Sequence, residues 1–109
     1  MIVMVTNFDE TVLNSINETL SAVLGVMYRD AIYMDLLTRF SLPKEKLPQN
    51  LPTLSKVLEE NFGQTTTHAI SRAIAKRLYS ELHLEMDDRE GLGLDEYVEQ
   101  AKEQLQHKS

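Results

Sequence analysis

The chain has 109 residues, no cysteine, and 17 acidic against 11 basic residues, for a formal net charge of −6. That length suits one domain able to bury its own core, and 42% hydrophobic with 26% charged residues is the composition of a globular protein rather than a disordered one. The lack of cysteine excludes disulfide scaffolds, thiolate metal sites and thiol nucleophiles and fits a reducing, cytoplasmic compartment, while the acidic balance disfavours non-specific binding to nucleic acid or anionic lipid.

Met1 to Val5 is apolar, but it lacks a basic flank and is too short for a signal core or a membrane span, so no membrane association is expected. From Phe8, apolar residues recur at Val12, Ile16, Leu20, Val23, Leu24 and Met27, with Leu13 beside them, which predicts a first helix. Asn7 followed by Glu10 has the spacing of a capping box and places the helix start near Asp9. Gly25 follows directly, where a closing residue with positive φ suits glycine, so the helix is expected to break there.

A second helix is predicted over Val26 to Phe40. Its apolar residues lie nearly all round, the pattern of a central helix. Arg29 projects among Ile32, Leu36 and Phe40, which makes it a candidate buried charge. Its guanidinium either snorkels at the core edge or takes a carboxylate or carbonyl partner. Residues 41–52 carry Pro43, Pro48 and Pro52, each unfavourable to helix at the preceding position. Leu42, Leu47 and Leu51 are spaced through this connection, so a packed crossover is expected rather than a flexible linker.

Pro52 suits the first turn of a third helix, with Leu54, Val57, Leu58 and Phe62 facing inward and Gly63 as its stop. One of Thr65, Thr66 and Thr67 is expected to cap a fourth helix running to about Leu84. Its inward stripe is Ile70, Ala73, Ile74, Leu78 and Leu82. Arg77 projects onto the same side, one turn before Glu81, a spacing that allows an ion pair. The opposite side carries His68, Arg72, Lys76 and Tyr79, the candidate partner contact, within a stretch, residues 61–80, that holds three basic residues and no carboxylate.

Residues 85–93 read as a polar loop, and Leu94, Tyr97, Val98, Ala101 and Leu105 form the stripe of a last helix that either docks or hangs free. The expected fold class is therefore all-α, a bundle of four main helices plus a C-terminal helix. Residues 1–84 would form the bundle, and 85–109 an acidic loop and helix of the same unit.

His68, His83 and His107 lack metal-ligand spacing, and the acidic loop fails the register of a calcium loop, so no metal is expected. No nucleophile elbow, phosphate loop or dinucleotide fingerprint is present, so neither catalysis nor a cofactor is expected. The His68, Arg72, Lys76 and Tyr79 face admits a protein partner or, as an alternative, a DNA major groove. Glu59 and Glu60 on the preceding helix weigh against the groove. Five methionines and the apolar breadth of Val26 to Phe40 also leave room for a homodimer.

Leu24-Gly25, Arg29 to Ile32, Leu36-Leu37, the proline-broken connection, Leu54 to Leu58, Phe62-Gly63, and Arg77 to Tyr79 with Leu82 resemble the Nitrosopumilus output domain family, the fifth of that series. The likeness spans roughly Ile16 to Leu84. It implies a small archaeal helical domain acting as an output or interaction module of signalling proteins, and it supplies no catalytic residues.

Overall fold

A computed structural model describes residues 2–87, 89 and 91–107, with side chains from Phe8 onward. Among the described residues the protein is all-α and carries no strand. Four α-helices run in order: α1 (Ile2–Leu24), α2 (Val26–Phe40), α3 (Leu51–Leu82) and α4 (Leu94–His107), with a 3-10 helix at Lys44–Gln49.

Helix α1 starts at Ile2 rather than near Asp9. Nothing between Ile2 and Asp9 breaks a helix, so the apolar residues that open the chain extend it. Asn7 thus falls inside α1, and its side chain lies outside the described ones. Phe8, Val12, Ile16 and Leu20 are buried as expected, whereas Val23 and Met27 are exposed. The stripe does not carry past Gly25, whose φ of 86° and ψ of 158° end α1 and cap α2.

The proline-rich connection is packed. Leu42, Leu47 and Leu51 all enter the core, and the Gln49 amide donates to Asp9 Oδ2 at 2.8 Å, tying the 3-10 helix to α1. Pro52 then sits in the first turn of α3, where its missing N–H removes no bond.

Helix α3 contains both the third and the fourth predicted helices. Its backbone leaves helical geometry at Gly63, with φ of 79° and ψ of 174°, a region open essentially to glycine alone. Before the break Leu54, Val57 and Leu58 face the core; after it Ile70, Ile74, Ala75 and Leu78 do. The helix ends at Leu82, with His83 as a left-handed cap.

Helix α4 docks on α3. Leu94, Tyr97, Val98 and Ala101 belong to the same core cluster as the α1 stripe. Its N-terminus is closed by Glu96, whose carboxylate accepts the Gly93 N–H at 2.8 Å, half of a capping box.

Gly63→Ala is expected to cost about 1–3 kcal/mol through backbone strain alone, because a Cβ at Gly63 would meet nothing within 4 Å. Urea denaturation checks this, and an unchanged midpoint would mean that the break does not need glycine.

Candidate functional site

The four residues of the expected contact face do not share a surface. His68, Arg72 and Lys76 are exposed on α3, but Tyr79 is buried at 2% exposure. The docking of α4 is the cause: the Tyr79 hydroxyl donates to the Tyr97 carbonyl at 2.6 Å, so Tyr79 fastens α4 to α3 instead of facing a partner. Lys76 lines a groove of about 450 Å³ between α1 and α3, beside Thr19, Val23 and Arg77. Arg77 is also placed differently from expectation. It is partly exposed and pairs with Glu18 of α1 at 2.9 Å, not with Glu81.

Arg29 is half-buried, with 19% of its side chain exposed. It has the carboxylate partner the core edge demands: two guanidinium nitrogens donate to Asp30 Oδ1 at 3.0 and 2.9 Å. A third donates to Ser21 Oγ at 2.6 Å, and Ser21 in turn donates to the Asn17 carbonyl. The Tyr33 hydroxyl donates to Asn17 Oδ1 at 3.0 Å. These bonds pin α2 to α1 across the Gly25 turn. On the other edge of α2, Arg39 forms a two-point pair with Glu60 of α3 at 2.7 and 3.2 Å and also bonds Asp35. Hydrogen bonding to Arg39 holds the Glu60 carboxyl below its usual range.

Held by these two edges, α2 buries only Ile32 and Leu36. The expectation of a central, covered helix therefore fails. Among the described side chains, Val23, Val26, Met27, Tyr28, Met34 and Leu37 are the exposed large apolar residues; Val23 lies in the last turn of α1 and the other five on α2. Met27 is 89% exposed and Met34 58%. With Ala31 and Thr38, also exposed, they stand at spacings of four, three and four residues, the seam spacing of a coiled coil. Tyr28 leans on Phe62 of α3, ring centroids 5.3 Å apart, and borders the patch. The contiguous apolar breadth of 26–40 was visible in the sequence, but not which part of it the core would leave uncovered.

A second feature sits at the α3 break. A cleft of about 350 Å³ is lined by α3 residues from both sides of Gly63 and by the segment that opens α4. Thr67 in its lining is buried, and its Oγ1 has no partner among the described residues. Of the three threonines expected to offer a cap, Thr67 is thus not the one that does so. Ser15 Oγ on α1 is likewise buried without a partner. Such orphans cost about 1–3 kcal/mol each.

No group of three metal-ligating side chains converges among the described residues, and none of the helices is long and apolar enough to cross a membrane. No family model, curated protein or solved structure matches the chain. Among the described residues, fold and site together define an all-α protein with an uncovered apolar face on α2.

Burial pushes the Tyr79 hydroxyl from 10.0 to about 12, and burial likewise pushes Tyr33 to about 12, partly opposed by Arg29. Both phenols ionise more readily in the unfolded chain. Their contribution to stability is thus complete below pH 10 and is lost as pH rises through about 12. Urea midpoints measured across that window should fall in the wild type and fall less in Tyr79→Phe. Tyrosinate absorbance that is complete near pH 10 in the folded protein would contradict this.

Proposed function

We propose that this protein is a cytoplasmic, non-enzymatic interaction module, a four-helix bundle with an added C-terminal helix, that pairs with a second copy of itself through the outward face of α2. The carrying observation is that, among the described side chains, the exposed large apolar residues all fall within residues 23–37. Large apolar patches on a folded surface mark contact sites, and methionine adapts its shape to a partner at low cost.

A second copy fits because the face is complementary to itself. In a two-fold, antiparallel crossing near Ala31, the small Ala31 of each copy receives Met34 of the other, large against small. Two-fold pairing requires this kind of self-match. The charged residues of α2 already have partners on their own chain: Arg29 with Asp30, and Arg39 with Asp35 and Glu60. The seam therefore carries little charge to repel its twin. A single helix of 15 residues presents a strip of about 22 Å, so the contact is smaller than a standard interface of about 800 Å² per partner and the dimer should be weak and reversible. The resemblance of the middle of the chain to the Nitrosopumilus output domains points the same way, toward an archaeal signalling-output module. The alternative, a DNA-binding regulator, is weakened by the burial of Tyr79 and the pairing of Arg77 with Glu18.

Sedimentation at increasing concentration tests the reading. The wild type should shift from monomer to dimer, and Met27→Glu combined with Met34→Glu should stay monomeric with unchanged helicity. Arg72→Glu with Lys76→Glu should leave the dimer intact. A wild type that remains monomeric up to millimolar concentration sinks the proposal, and salt-sensitive binding to duplex DNA would favour the alternative.

A further inference from the structure

We infer that the cleft at the break of α3 is a binding site for a small organic diamine. Helix α3 presents two polar stripes to it at helical spacing. Ser55, Lys56 and Glu59 come before Gly63, and Gln64, Thr67, His68 and Ser71 after it. Positions three and four apart that share a helix face are normally apolar when they turn inward. Yet Thr67 and Ser71 are buried, at 4% and 3% exposure. A buried polar stripe with an unpartnered Thr67 hydroxyl is poor core and a good wall for a polar ligand, since buried hydroxyls ordinarily find partners.

The charge of the cleft selects the ligand. Among the described residues, three carboxylates line it, those of Glu59, Asp95 and Glu96, against the single ammonium of Lys56, which stands 5.7 Å from the Phe40 ring centre. An anion has little to gain at the start of α4, because the Gly93 N–H is already taken by Glu96. A metal ion is a poor fit as well: the carboxylates come from two helices, and among the described residues no three ligating groups converge. Carboxylates spread along a cleft suit a cation whose charges are also spread. A diamine places one ammonium toward Glu59 and the other toward Asp95, and its length passes Thr67 and Ser71 in the cleft wall. The cleft volume of about 350 Å³ lies near the lower end of ligand sites, so the ligand is small.

The test is a backbone amide NMR titration of the intact chain with putrescine, butylamine, glutamate and magnesium chloride at fixed ionic strength. Putrescine should give saturable shifts confined to residues 64–71 and 91–96, and butylamine, with one charge, should bind roughly tenfold more weakly. Asp95→Asn and Thr67→Val should each weaken putrescine by a similar factor, while Thr67→Ser, which keeps the hydroxyl, should retain binding and serves if the valine variant does not fold. The inference is overturned by any of three results: no saturable shift, shifts reproduced by magnesium or glutamate, or putrescine affinity unaltered in Asp95→Asn. Because α2 is not part of the cleft, this outcome is independent of the oligomeric state.

Discussion

The break at Gly63 is the constraint on which the rest of the structure depends. A straight helix of 32 residues, the length of α3, would extend about 48 Å, and the whole molecule is 39 Å along its longest axis. Apolar residues nevertheless continue on both sides of the break, from Leu54 to Leu58 and from Ile70 to Leu78. Both halves can lie against the core only if the chain changes direction between them. Glycine is the residue that allows this, because the backbone at position 63 combines positive φ with extended ψ.

Two consequences follow from the redirected helix. With both halves of α3 packed on the core, and α4 fastened to Tyr79, the stripe of α1 is covered. That leaves α2 at the edge, fixed by Arg29 to α1 and by Arg39 to α3. It contributes Ile32 and Leu36 to the core and turns its methionines outward. The break also lies beside the cleft along α3 that Thr67 lines. One glycine thus bears on both the uncovered apolar face and the buried polar cleft, two places where burial departs from the usual sorting of apolar inside and polar outside.

Much of this was legible in the sequence, for local reasons. Gly25 and Gly63 mark backbone positions that other residues strain to adopt, the leucines of the proline-rich connection have no purpose in a flexible linker, and the stripe of α4 is regular. Features set by long-range packing were not legible. Val26 to Phe40 is apolar on every side, so periodicity alone cannot tell the side facing α1 and α3 from the side facing solvent. Tyr79 projects away from the stripe led by Ile70 and Ile74 and reads as exposed until α4 is placed over it. Arg77 has Glu81 at a suitable spacing on its own helix but finds Glu18 fifty-nine residues away, a partner that only the packing of α1 on α3 supplies. The start of α1 was missed because a capping pattern at Asn7 competes with an apolar run that simply continues the helix.

The central claim is that the core leaves the outward face of α2 for a second copy of the chain. Selective labelling of the methionine methyl groups reads this face directly, because Met27 and Met34 are exposed on it while Met86 is packed against the core. Methyl spectra recorded with a soluble paramagnetic agent, first dilute and then concentrated, should show Met27 and Met34 broadened in the dilute sample and protected in the concentrated one, with Met86 little changed. Equal broadening of Met27 and Met34 at both concentrations would contradict the account.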